Sequence, residues 1–188
     1  TIADKDHLSI IDFSMLIGGM VAIISRNGGM TGVVNRLSKR ASSARSSQFV
    51  TWLLGVAIFF DDYANTLIVG NTARPLTDRY RVSREKLAYI VDSTAAPVAA
   101  IAFVTTWIGA ELGYISDATA ALGLSETPYD IFLNSLAYSF YPILTLLFML
   151  FLIFTKRDFG PMLKAERRAR TTGKVANPID EENDYDMD

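Results

Sequence analysis

The feature that most constrains this chain is a run of 24 residues, Ile131 to Phe154, without a charged side chain. A helix rises about 1.5 Å per residue, so this run can cover a hydrocarbon core of about 30 Å. Leu87 to Ala110 forms a second such run, interrupted only by Asp92, and Leu8 to Ser25 forms a third of 18 residues, with Asp12 near its start. We therefore predict membrane spans at about 8–25, 87–110 and 131–154.

The charged residues, which make up 20% of the chain, are concentrated between these runs and predict their orientation. The segments 36–45 and 74–86 are rich in Arg and Lys, as is the stretch after Phe154, whereas 111–130 carries only acids. Basic segments stay on the cytoplasmic side. We therefore predict a transmembrane domain over 1–156, and over 157–188 a cytoplasmic basic segment with an acidic tail.

Two adjacent carboxylates, Asp61 and Asp62, lie inside an otherwise apolar segment over 48–73. The basic segments on both sides of it are predicted to be cytoplasmic, so the segment cannot be one simple span. We predict a re-entrant hairpin with a polar tip at 61–65, and two short tilted crossings are the alternative. Ionisable groups at membrane depth usually mark an ion or proton path, although one of the two carboxylates could instead cap the returning helix.

A second polar cluster, Asp92-Ser93-Thr94, comes just before Pro97 in the middle of a predicted span. Proline has no N–H, so in a helix the carbonyl of Ser93 would lose its partner. A carboxylate, two hydroxyls and a free carbonyl would then converge, as cation ligands do in broken helices of transporters. The alternative is a kinked helix whose hydroxyls bond to the preceding turn. Together these patterns predict an all-α membrane protein with a re-entrant hairpin and an interrupted helix.

The stretch Phe59-Phe-Asp-Asp-Tyr-Ala-Asn-Thr-Leu-Ile-Val-Gly-Asn71, followed by Arg74-Pro-Leu-Thr-Asp78 and Ser83 through Pro97, resembles the NhaC-type Na⁺/H⁺ antiporter family. The resemblance continues through Thr106–Gly109 and includes Arg157–Pro161. It implies a multi-pass inner-membrane transporter in which Asn65-Thr66 at the hairpin tip and Ser93-Thr94 at the helix break bind Na⁺. Family chains are more than twice this length, so the resemblance also implies that this chain is roughly one half of an inverted-repeat transporter.

We therefore predict a secondary transporter that exchanges Na⁺ for H⁺, with the lipid bilayer and the second half of the same transporter as its partners. A second copy of the same protein, in a homodimer, is a further possible partner. The predicted site consists of carboxylates that hold either ion and neutral oxygen ligands: Asp61, Asp62 and Asp92, with Asn65, Thr66, Ser93 and Thr94, and Asn71 and Arg74 as additional candidates. No cofactor beyond the two ions and no nucleic acid is expected.

Two other functions stay open at this point. The same fold could carry an organic acid or amino acid coupled to Na⁺ or H⁺, with Arg74 meeting the substrate carboxylate. Alternatively, the chain could be a structural or regulatory membrane subunit in which the carboxylates only support helix packing. An enzyme is not expected, because the chain has no cysteine and its single histidine, His7, lies far along the chain from every candidate site residue.

Overall fold

The computed structural model describes residues 41–177, together with six single positions before them: Met15, Leu16, Gly19, Ile23, Gly32 and Arg36. Within 41–177 the chain forms seven α-helices and a short 3₁₀ turn at Leu136–Tyr138. The helices are α1 (Ala44–Ala57), α2 (Asp62–Arg79), α3 (Arg84–Ala99), α4 (Ile108–Leu122), α5 (Pro128–Ser135), α6 (Phe140–Thr155) and α7 (Gly160–Thr172). The predicted span over 8–25, apart from the single positions above, and the acidic tail lie outside the described residues.

Helices α1 and α2 pack against each other as an antiparallel pair joined at 58–61. The Tyr80 hydroxyl, just after α2, donates to the Ala41 carbonyl, just before α1, over 2.7 Å. Leu54, Ile58 and Val69 belong to the buried apolar cluster formed by this pair. The two arms of the predicted hairpin are thus two packed helices, and the second arm continues to Arg79 instead of ending near 73. The re-entrant position of this pair in a membrane stays a prediction.

Helix α3 is central, because it packs against α1, α2, α6 and α7. Its residues Leu87 and Val91 join the apolar cluster of α1 and α2, whereas Ile90 meets Met149 and Ile153 of α6. Ile90, Met149 and Ile153 are essentially inaccessible to solvent. Helix α3 therefore holds the hairpin and the apolar helix α6 in one packed unit.

The predicted interruption of the helix at 93–97 is not where the structure breaks it. Helix α3 runs through Pro97 to Ala99, and the non-helical stretch is 100–107. Pro97 is only two residues from the end of α3, so the missing N–H disturbs only the last turn. Beyond it, the Thr106 N–H donates to the Phe60 carbonyl over 3.1 Å. The chain thus leaves the helix where it can hydrogen-bond to the hairpin turn.

The predicted span over 131–154 is also divided, between α5 and α6. Pro142 explains the division, since its ring clashes with the carbonyl of the residue four positions earlier, Tyr138, and it cannot donate to that carbonyl. A helix can accept proline in its first turn, where the N–H has no partner in any case. Accordingly a new helix begins at Phe140, and Pro142 lies in its first turn.

One helical stretch among the described residues, 140–172, is long and apolar enough to cross a membrane. It consists of α6, a short link at 156–159, and α7. Helix α6 carries the apolar part, and Leu144, Leu147 and Phe151 on it are exposed. The predicted span over 87–110 comprises α3, the non-helical stretch 100–107 and the start of α4, and its position in a membrane stays a prediction.

The basic helix α7 packs on the first turn of α3. The Glu166 carboxylate, which is 1% exposed, accepts hydrogen bonds from the N–H and the hydroxyl of Ser83 at 2.8 and 2.9 Å. Lys86, equally buried, forms an ion pair with Asp158 at 2.5 Å. Residues 157–177, predicted as a separate cytoplasmic segment, are therefore part of the packed unit.

Candidate cation site

Asn65, in the first turns of α2, is completely buried where α1, α2 and α3 meet. Its side-chain nitrogen Nδ2 donates to the carbonyls of Gly55, Ile58 and Thr94 at 2.6, 2.8 and 3.4 Å. Its oxygen Oδ1 is also buried and has no hydrogen-bond partner among the described residues. A buried amide oxygen without a partner costs about 1–3 kcal/mol.

Two of the three carbonyls are available because α1 ends at this point. Gly55 lies in the last turn of α1 and Ile58 is its C-cap, and the last four carbonyls of a helix have no partner within it. These carbonyls carry the negative end of the helix dipole. The end of α1 therefore directs negative charge at the position that the Asn65 amide occupies.

Gly55 also permits the close approach of α1 to α3. A Cβ atom at Gly55 would lie 2.0 Å from the Thr94 hydroxyl oxygen and 2.5 Å from the Thr94 Cβ. Thr94 itself is fully buried, and its hydroxyl donates to the carbonyls of Ile90 and Val91. The absence of a side chain at Gly55 thus brings the Thr94 carbonyl within reach of Asn65.

The two tip carboxylates face the stretch after α3. Asp61 is the N-cap of α2: its Oδ1 accepts from the Ala64 N–H at 2.7 Å, and its Oδ2 accepts from the Thr106 hydroxyl at 3.2 Å. Asp62 Oδ1 accepts from the indole N–H of Trp107 at 3.2 Å. The helix cap that the sequence left open for one of the two is therefore formed by Asp61.

The remaining predicted site residues divide into buried and exposed positions. Ser93 is buried on α3, and Arg74 is half-buried on α2. Thr66, Asn71 and Asp92 are exposed. The structure therefore joins Asn65 and Thr94 in one buried centre and Asp61 and Asp62 at the neighbouring tip, and it does not bring Asp92 into either group.

Four contributing residues were absent from the predicted site: Gly55, Ile58, Thr106 and Trp107. Gly55 and Ile58 act through backbone carbonyls, which any residue supplies, so no side-chain pattern could identify them. A partial signal was available for Gly55, as a lone glycine inside an apolar run often marks a close approach. Thr106 and Trp107 became relevant only because the chain leaves the helix after Ala99.

The donor set of the buried centre is made of neutral oxygens. Within the described residues no group of three His, Cys, Asp or Glu side chains could hold a metal ion. Carbonyl and amide oxygens suit hard cations and not the softer transition metals. The buried centre is thus a candidate for an alkali cation.

Two carboxyl groups whose pKa values are raised lie outside this centre. Burial raises the pKa of Asp78, near the end of α2, and the positive charge of Arg74 opposes that rise. Burial also raises the pKa of Glu111 on α4. Both residues lie outside the predicted spans.

The described residues thus combine a packed pair of helices, a non-helical stretch that contacts the turn of this pair, and one stretch long and apolar enough to cross a membrane. The sequence model of the Na⁺/H⁺ antiporter family matches residues 98–184. The matched region is a little less than half of the chain. The matched residues begin after Thr94, so they include the stretch that contacts the tip but not the hairpin itself.

A curated relative, an uncharacterized protein of Haemophilus influenzae, is 32% identical over 166 residues. The alignment covers 88% of this chain and 32% of the relative. The chain thus spans about a third of the length of the curated relative that it matches. No solved structure matches the chain.

Proposed function

We propose that this chain forms part of a multi-pass inner-membrane transporter of the NhaC type that exchanges Na⁺ for H⁺, with the Na⁺ site centred on Asn65. The observation that carries this proposal is the convergence of three carbonyl oxygens on the Asn65 amide, whose own oxygen is buried without a partner. The family match over 98–184 supports the same function.

The Asn65 amide can serve two states of such a site. With no ion bound, Nδ2 donates to the carbonyls of Gly55, Ile58 and Thr94 and satisfies them. When Na⁺ enters, a half-turn of the amide would direct Oδ1 toward the three carbonyls, and these would move apart so that the cation fits between four neutral oxygens. The carbonyls at the end of α1 add the negative end of its dipole.

The exchangeable proton requires a carboxylate that binds either H⁺ or Na⁺. Asp61 has both oxygens engaged, with the Ala64 N–H and with Thr106. We therefore assign Asp61 to the helix cap, and Asp62 and Asp92 to the exchangeable charge. In the complete transporter the second half would cover the exposed Asp92, and desolvation there would favour its protonated form.

The test uses the full-length protein in vesicles, with Na⁺-driven proton movement followed by a pH-sensitive dye. Asn65→Ala should raise the Na⁺ concentration for half-maximal exchange by about tenfold or more, since the bound ion loses its Oδ1 ligand. Asn134→Ala, at an exposed asparagine on α5 outside the predicted site, is the matched control and should leave the half-maximal concentration unchanged.

A second set of variants distinguishes the roles of the three carboxylates. Asp61→Ser keeps a helix cap and should retain exchange, whereas Asp62→Asn and Asp92→Asn should reduce it. Unchanged Na⁺ dependence in folded Asn65→Ala would overturn the ion site. Full exchange in the Asp62→Asn/Asp92→Asn double variant would overturn the carboxylate assignment. Na⁺-dependent uptake of an organic acid without proton exchange would show that the transported solute is the organic acid and not H⁺.

A further inference from the structure

A basic cleft lies at the opposite end of the helix packing from the cation site. It has a volume of about 210 Å³ and is formed by the start of α1, the end of α6 and helix α7. The lining residues that matter for its chemistry are three cations, one carboxylate and two apolar side chains: Arg45, Lys156, Arg170, Asp158, Leu152 and Ile153.

The charge balance of this cleft is positive. Asp158, its one carboxylate, is already neutralised by the buried ammonium of Lys86 at 2.5 Å. Arg170 is paired with Glu166 at 2.9 Å but keeps a 45% exposed side chain. Arg45 and Lys156 are exposed and form no ion pair with any described residue. Two cations thus face the cleft without a counter-charge from the described part of the chain.

The start of α1 adds to the positive potential. Helix N-termini favour acidic residues because their free N–H groups carry partial positive charge. The first turn of α1 contains no acidic residue, and it contains Arg45 instead. Ser43 already caps this terminus by accepting from the Ser46 N–H, so an external anion would complement the N–H groups that remain free and the two exposed cations.

The position of the cleft indicates the source of that anion. Leu152 and Ile153 belong to α6, which supplies the apolar part of the one described stretch able to span a membrane. Helix α6 ends at Thr155, and Phe151 and Phe154 on its last turns are exposed. The cleft therefore lies where a lipid headgroup would lie, with an apolar helix face beside it for the acyl chains.

We propose that this cleft binds the phosphate headgroup of an anionic phospholipid of the cytoplasmic leaflet. Basic pockets at the cytoplasmic ends of membrane helices commonly recognise such headgroups. The proposal rests on the membrane location of α6 and not on ion exchange. Failure of the Na⁺ site would therefore leave it intact.

The test is native mass spectrometry of the full-length protein in mild detergent, with phosphatidylglycerol, phosphatidylcholine or inorganic phosphate added. Phosphatidylglycerol should bind in preference to phosphatidylcholine. Arg45→Gln/Lys156→Gln should weaken its binding roughly thirtyfold, as each basic residue near an anionic lipid surface contributes about fivefold. Arg45→Lys/Lys156→Arg should keep the binding, which separates loss of charge from loss of folding.

A matched control removes the same charge from the same end of the molecule. Arg157 and Arg167 are exposed and do not line the cleft. Arg157→Gln/Arg167→Gln should bind phosphatidylglycerol almost as the parent does. An equal loss in both double variants would show non-specific attraction, and phosphate binding without lipid preference would show a free-anion site. Either result overturns the proposal.

Discussion

Gly55 is the residue on which the packing of the cation site depends. A side chain there would meet Thr94, whose Cβ would lie only 2.5 Å from the new atom. Both residues belong to helices, so neither backbone can move without moving a helix. The same approach holds the Thr94 carbonyl 3.4 Å from Asn65 Nδ2. One glycine thus links helix packing to the geometry of the buried centre.

We expect Gly55→Ala to destabilise the protein by about 1–3 kcal/mol, the usual cost of forcing atoms into a filled core. Gly70→Ala is the matched control, because nothing lies within 4 Å of a Cβ added at Gly70 on α2. That control should stabilise by about 0.4–1 kcal/mol through the unfolded state. Thermal unfolding of the full-length protein in detergent measures both, and equal shifts would contradict the role of Gly55.

At the scale of elements, one buried ion pair connects helix α3 to the link between α6 and α7. Lys86 and Asp158 are 1% and 6% exposed, and their charged atoms are 2.5 Å apart. A second pair between α3 and α7, Arg168 with Glu85, involves side chains that are 26% and 34% exposed. The two pairs join the same elements but differ in burial, so they should differ in energetic importance.

Replacing Lys86 by methionine should cost about 3–5 kcal/mol, since Asp158 is left buried without its partner. The double variant Lys86→Met/Asp158→Leu should recover much of that stability, because no uncompensated charge remains. Arg168→Gln, which breaks the more exposed pair, should cost about 1 kcal/mol or less. Denaturant unfolding of the full-length protein gives the three values, and a small effect of Lys86→Met would contradict the burial argument.

Helix boundaries show how much of each element could be predicted from the sequence. The uncharged runs correctly predicted helical segments, and proline marked places where helices change. The break predicted at 93–97 was displaced to 100–107, because it depends on hydrogen bonds to the turn between α1 and α2. The break at Ser139, which Pro142 explains, was not predicted. The stretch 100–107 is fixed by the Phe60 carbonyl and the Asp61 carboxylate, which lie about forty residues earlier in the chain.

At the scale of the whole molecule, the predicted orientation places the α4–α5 connection outside and helix α7 in the cytoplasm. The chain contains no cysteine, so single introduced cysteines can report each side. Ser125, between α4 and α5, and Thr172, at the end of α7, are both exposed. They form a pair of matched reporter positions.

In intact cells, a membrane-impermeant maleimide should label Ser125→Cys, whereas Thr172→Cys should react only after the membrane is opened. This difference in labelling between the two positions is expected because basic segments stay on the cytoplasmic side of the membrane. Native cysteines elsewhere in the full-length protein would first be replaced by serine. Labelling of Thr172→Cys in intact cells would contradict the orientation, and with it the cytoplasmic location of the basic cleft.

The sequence alone determined that the described chain is helical, that most charges lie between the apolar runs, and that the chain turns between two arms near Asp61. These features follow from local patterns, which composition and spacing record directly. Only the tertiary structure decided which polar groups meet. Asn65 is central because it meets two carbonyls at the end of α1 and one on α3, and backbone carbonyls cannot be recognised from a sequence. Likewise, Lys86 is buried because Asp158 folds back onto it, while Asp92, six residues further on, stays exposed.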